Sequence, residues 1–361
     1  MTPSVLHCAQ FDEWASATPL PAGFPRVQVA CALPEGFGGP QHFAGGELSA
    51  LQQRLDSTMQ TLRQGLAPAS VPTADQLLDR LITALADAGL QRVSWQTGAR
   101  SGTHWLADGS GTRVHWRRYR FQAAHRLPHV PPGHKCGRMH GHGFEAVVAA
   151  LGCSADTLDE AWAPLHMQLN YGCLNALDGL ENPTSEHLAR WLWQRLQPAL
   201  PGLHGVSVFE TASCGSHASD AGLTLRIWKD FTLDSATQLS QAPPRHPRAA
   251  LHGHTYTLRL HLQAALDAHL GWAVDFGDVK SAFKPVFDAL DHHAVGAAHR
   301  PSTVTEAPHP GDVATLARWV AERSLPLLPA LTRVDLFETD GNGVVLGADA
   351  RQAPLLPSAG A

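Results

Sequence analysis

The chain has 361 residues, of which 44% are apolar and 16% charged, with a formal charge of −5. That length exceeds one average domain, and the composition suits a soluble chain with a sizeable buried core. Basic residues are scattered rather than gathered in a stripe, which speaks against a nucleic-acid partner, and no apolar run approaches the roughly 18 residues of a membrane span.

The first residues, Met1 to Trp14, lack a basic segment followed by an apolar one, so no secretory signal is expected and the cytoplasm is the expected location. Six cysteines carry no Cys-x-x-Cys spacing, which argues against a disulfide framework or a zinc ribbon. The 22 histidines matter through their clustering.

In chain order, residues 26–33 read as a strand, 47–62 as a helix, and Thr73 caps a second helix. A β-like stretch follows and ends in Trp95-Gln96-Thr97. The pattern then recurs. Residues 143–151 read as a strand, 156–169 as a helix, Thr184 opens a second helix, and a strand ends in Phe209-Glu210-Thr211. A third pass runs through 256–266, 278–290, a helix capped by Asp312, and Phe337-Glu338-Thr339. From cap to acid or amide the offsets are 23, 26 and 26 residues. The reading is α+β, with three tandem β-β-α-α-β-β units. They cover residues 1–112, 113–218 and 219–350, and a Pro/Ala-rich tail at 351–361 is expected to be disordered.

The densest chemistry lies between Phe121 and Phe144. His140 and His142 stand two apart at the start of a strand, so both imidazoles face one side. His125 sits on the preceding strand, which can pair with theirs through a Pro/Gly-rich loop. Three histidines on neighbouring strands suit an open zinc site with a fourth position for substrate or water. Cys136, four residues before the pair, is either a fourth ligand that closes the site or a reactive thiolate beside a metal.

The run from Phe121 to Phe144, then Gly179 to Trp193, then Val208-Phe-Glu-Thr, resembles the 6-pyruvoyl-tetrahydropterin synthase family. Within it the likeness is to the bacterial 6-carboxytetrahydropterin synthases of queuosine biosynthesis, on the spacing Cys-x3-His-Gly-His. The resemblance covers residues 116–346 by motif and 1–112 by pattern alone. It implies tunnelling-fold units, each an antiparallel four-stranded sheet with two helices, closing into a barrel-like ring. Two such chains would rebuild a hexamer-like assembly as a homodimer.

The resemblance further implies a zinc-dependent lyase acting on 7,8-dihydroneopterin triphosphate. His125, His140 and His142 become zinc ligands, Cys136 the proton-abstracting base, and Glu210 with Thr211 the pterin anchor. The family's Leu-Asp-His-His motif is replaced in the middle unit by Leu169-Asn170-Tyr171-Gly172 and kept in the third as Leu290-Asp291-His292-His293. The third unit keeps His252 and His254 but has Thr237 and Arg248 where a ligand and the cysteine would stand. The expectation is one composite site, with Asp291 and His292 serving Cys136. The first unit, with Asp56-Ser57 at the pair and Gln96 for the acid, reads as a scaffold. The same residues leave room for a 6-pyruvoyl product or for a pterin-binding protein without turnover.

Overall fold

The computed structural model describes residues 3–10, 26–32, 74–98, 100–239, 242–243, 245–295, 312–339 and 342–347, with short helical pieces between 53 and 61. The expected tail at 351–361 lies outside these.

Strand β1 (Pro3–Gln10), β2 (Arg26–Ala32), helix α1 (Ala74–Ala84), β3 (Leu90–Gly98) and β4 (Ser101–Leu106) make the first region. The middle region holds β5 (Thr112–His125), β6 (His140–Leu151), α2 (Ala155–Leu169), the short β7 (Gly172–Cys173), α3 (Ser185–Leu196), β8 (Leu203–Thr211) and β9 (Cys214–Ser219). The third repeats the order with β10 (Thr224–Thr237), β11 (His252–Leu262), α4 (Phe276–Asp288), β12 (Ala294–Val295), α5 (Val313–Ser324), β13 (Leu331–Thr339) and β14 (Asn342–Gly347).

All fourteen strands join one sheet, antiparallel except for the two short pairings β5–β7 and β10–β12. Neighbours run β11-β13-β14-β1-β2-β3-β4-β5-β6-β8-β9-β10, and β10 also pairs with β11. The regions meet edge to edge at β4–β5, β9–β10 and β14–β1. Each junction pairs backbone groups that an isolated four-stranded sheet would leave open.

The helices pack on one face. Alternate residues of β6 and β8 (Phe144, Ala146, Val148; Val206, Val208) meet Leu158, Trp162, Leu188 and Leu192 in one core. An equivalent core joins Leu258, Leu260, Val334 and Leu336 to Phe283 and Val320, and a smaller one joins Val29 and Val93 to Leu78 and Leu81. Each fully buried side chain of this size contributes about 1.5–3 kcal/mol. The helices begin as the sequence indicates: Thr184 Oγ1 accepts from His187 N at 3.2 Å, and Asp312 Oδ1 from Ala314 and Thr315 N at 2.9 Å. The helix-free face is polar instead, with Ser94 against His104, Ser207 against His217, and His261 against Asp335.

Strand register corrects one expectation. Phe209 pairs with Gly215 and Thr211 with Cys214, whereas in the first region Gln96 pairs with Gly102 and Gly98 with Ser101. Thr97, not Gln96, therefore stands at the place of Glu210. The mismatch arises because Trp95-Gln96-Thr97 imitates the aromatic, acid or amide, and threonine pattern one residue early in a strand whose irregularity before the turn matches that of β8. Trp95 also packs against helix α1 while Phe209 turns to the other face against Trp228, at 4.8 Å between ring centroids. A second correction concerns Asp56 and Ser57. They lie within helical residues rather than after a helix end, where Asn170-Tyr171 and Asp291-His292 stand.

Candidate active site

His125 ends β5 and His140 begins β6, directly opposite each other, while His142 faces Ala123 one step inward. Alternation along β6 puts both of its imidazoles on the side of His125. Ring centroids lie 4.5 Å (125–140), 5.1 Å (125–142) and 5.1 Å (140–142) apart. One nitrogen from each ring lies within 4.8 Å of the others, and among the described residues no other cluster of His, Cys, Asp or Glu meets that criterion. Gly141 relieves a tight spot between them, since a Cβ there would stand 3.1 Å from Ala123 O.

The outward nitrogens are already committed. His125 Nδ1 donates to Pro183 O at 3.2 Å and His140 Nδ1 to Arg138 O at 2.8 Å. Nδ1–H donors of this kind leave the Nε2 lone pairs turned inward. The Nε2 atoms of His125 and His142 are buried and have no hydrogen-bond partner. Burial lowers the His125 pKa to about 4, with His140 and His142 adding to the shift, so the ring is neutral near pH 7. Three imidazoles converging from paired strands, one of them buried, are a donor set that fits zinc.

Cys136 lies in the loop between β5 and β6, in a short turn where its N–H donates to His134 Nδ1 at 3.3 Å. It is a free, half-buried thiol. Burial, then the charges of Glu210 and Asp275, push its pKa up, with Lys135 opposing. Glu210 ends β8, its Oε1 3.6 Å from His142 Nε2. Burial first, then Glu186 and Asp275, push Glu210 up to about 7. Thr211 Oγ1 lies 3.0 Å from Cys214 Sγ.

Cys136, His140, His142, Glu210 and Thr211 line one cavity of about 860 Å³. Its opposite wall belongs to the third region: Lys229 of β10, with Asp275, Phe276, Gly277 and Lys280 at the start of α4. A strap ahead of α4 brings that wall in. Asn182 Nδ2 donates to Leu270 O and Thr184 Oγ1 to Gly271 O, both at 2.7 Å, while Ala273 N donates to the buried Glu186 Oε1 at 3.0 Å. His129 stacks on His269 at 4.7 Å. Four cationic side chains, Lys135, Arg138, Lys229 and Lys280, also line the cavity. Sequence reading missed the residues of the third region. Asp275 was detectable as a helix cap, but nothing local placed it beside Cys136.

Asp291 and His292 stand elsewhere. His292 Nδ1 bonds Asp291 Oδ2 at 2.7 Å, and Asp291 Oδ1 accepts from Asp234 N at 2.9 Å. His292 is exposed, and neither residue lines the cavity of Cys136. Asn170 keeps the same backbone contact in the middle region, accepting from Gln122 N at 2.9 Å, but carries no charge. In the third region Thr237 pairs with His252 as His125 pairs with His140, and Arg248 holds the Cys136 position.

The family described as 6-pyruvoyl tetrahydropterin synthase matches residues 115–220 and 226–349, together more than half of the chain. A 6-carboxy-5,6,7,8-tetrahydropterin synthase of Synechocystis sp. is 35% identical over 116 residues, 27% of this chain and 86% of the relative. The solved 6-pyruvoyl tetrahydropterin synthase of Caenorhabditis elegans is 16% identical with a TM-score of 0.29, covering 35% of this chain and 96% of that one. The Plasmodium falciparum protein gives 13%, 0.28, 34% and 98%. These two structural likenesses are too weak to carry an argument. Motif, donor set and matched segments agree: the chain belongs to the 6-pyruvoyl tetrahydropterin synthase family.

Proposed function

We propose that the chain is a zinc-dependent 6-carboxy-5,6,7,8-tetrahydropterin synthase acting on 7,8-dihydroneopterin triphosphate, in queuosine biosynthesis in the cytoplasm. The observation that carries this reading is a cavity lined by Cys136, Glu210, His140 and His142, the last two clustered with the buried His125. The relative of that name and the Cys-x3-His-Gly-His spacing favour the carboxy product.

His125, His140 and His142 would hold the zinc, which supplies Lewis acidity toward the substrate's side-chain hydroxyls. Glu210 accepts the paired N–H donors of the 2-amino-4-oxo edge, a bidentate arrangement that fixes the ring, with Thr211 beside it. Cys136 takes the side-chain proton. Lys135, Arg138, Lys229 and Lys280 face the triphosphate, and two of these come from the third region.

Asp291 and His292 complete the proton path from a second chain. They are absent from the cavity of their own chain, and His292 projects into solvent beside β10. A barrel-like ring of three units is supported by the β14–β1 and β10–β11 pairings, which leave none of the long strands with an open edge. Among the described residues no helix is long and apolar enough to cross a membrane.

Turnover of 7,8-dihydroneopterin triphosphate by zinc-loaded protein, read by mass spectrometry, tests the reading. The 6-carboxy product, lost in Cys136→Ala and in His292→Ala, supports it. Mixed Cys136→Ala and His292→Ala proteins should regain activity if the pair acts between chains. A 6-pyruvoyl product would move the chain to the other branch. Full zinc and tight pterin binding without turnover would leave a binding protein.

A further inference from the structure

The third region repeats the turn that carries Cys136. Arg248 N donates to His246 Nδ1 at 3.2 Å, as Cys136 N does to His134. Strand β13 places Glu338 where β8 places Glu210, since Phe337 pairs with Gly343 as Phe209 pairs with Gly215. The two changed side chains then meet. Arg248 Nη1 donates to Glu338 Oε2 at 3.1 Å, and Nη2 donates to Oε1. The Glu338 side chain is 5% exposed and that of Arg248 19%.

A guanidinium offers two parallel N–H groups flanking one carbon, and a carboxylate accepts both. The 2-amino-4-oxo edge of a pterin or guanine presents the same N–C–N donor pair. We infer that the third region holds a second binding site for a 2-amino-4-oxo heterocycle, kept shut because the Arg248 guanidinium occupies the Glu338 carboxylate in the ligand's place. The inference rests on the reading that Glu210 accepts such an edge in the middle region. Arg248 is tethered, so it competes at an effective concentration on the order of millimolar or above. Thr237 replaces the first metal ligand, so the opened site binds without turnover.

Ligand equivalents per chain settle the matter, measured by equilibrium dialysis of unphosphorylated 7,8-dihydroneopterin against zinc-loaded full-length protein. Wild type should bind one equivalent, Arg248→Ala two, and Arg248→Ala with Glu338→Gln one again. Two equivalents in wild type, or one in a folded Arg248→Ala protein, overturn the inference. No binding by wild type, with one equivalent in Arg248→Ala that Glu338→Gln removes, sinks the Glu210 reading and keeps this one. Methylguanidine at millimolar concentration gives a readout free of pterins. It should raise the melting temperature of Arg248→Ala and not that of wild type, and equal shifts in both count against a vacated guanidinium site.

Discussion

The middle and third regions share a backbone and differ in chemistry. His125 faces His140 in the register in which Thr237 faces His252. Tyr171 and His292 occupy the same turn, with φ of 59° and 57°. Each turn after the first long strand is closed by a histidine that accepts from the N–H two residues on. Over this common frame the middle region keeps three imidazoles, a thiol and an acid, while the third keeps the Asp-His pair and neutralises its acid with arginine. The difference teaches that one strand register can carry two different sets of side chains, so the chemistry open to each region is decided by a handful of residues.

The largest expected effects break the comparison at its active side. His125→Ala should lose the zinc, measured by metal content per chain, while His252→Ala leaves it unchanged, because Thr237 denies His252 and His254 a third partner. Cys136→Ala should keep the metal and lose turnover by about 10²- to 10⁴-fold, the usual contribution of a positioned acid–base group. A Cys136→Ala protein with near-normal turnover would remove the thiol from the mechanism.

Next in size is Glu210→Gln. One acceptor of the paired donors becomes an amide donor, so the KM should rise by about tenfold or more, each tenfold being about 1.4 kcal/mol. Glu338→Gln should leave KM alone. Smaller again is Lys280→Ala. We expect KM for the triphosphorylated substrate to rise by about threefold to tenfold, as fits one cation on a partly exposed wall. Affinity for the unphosphorylated pterin should not change, and a change in both would place Lys280 at the ring rather than the phosphates.

The clustering of the three histidines was legible in sequence because a strand's period of two is local: His-x-His on one strand and His125 on its hairpin partner need no long-range information. The helix caps Thr184 and Asp312 were legible for the same reason. Asp275, Lys229 and Lys280 were not, since they reach the cavity through the β9–β10 pairing and a strap 80 to 90 residues downstream of its anchors at Asn182, Thr184 and Glu186. The Gln96 match slipped by one residue because Trp95-Gln96-Thr97 imitates Phe209-Glu210-Thr211 in residue type, while register is set by pairing with the next strand. Asp291 and His292 were found by motif, but motif says nothing of which cavity they serve.

A last effect concerns the helix-free face, where both regions bury a histidine, on β9 in the middle region and on β11 in the third. His217 bonds Ser207 Oγ at 2.9 Å and His261 bonds Asp335 Oδ2 at 3.0 Å. Burial holds both imidazoles neutral, His261 down to about 3 and His217 well below its usual value. Burial alone would raise Asp335, but Arg333 and His261 outweigh it and keep the carboxyl well below its usual range. A histidine whose folded pKa is depressed contributes stability that is present above about 6.5 and lost as pH falls toward the folded value. Each buried ring therefore adds up to about 1.4 kcal/mol of destabilisation per pH unit below 6.5. Urea midpoints taken from pH 7 to pH 5 should fall in wild type and fall less in His217→Gln and in His261→Gln, by similar amounts. If only one variant flattens the slope, only that ring is kept neutral by its burial in the fold.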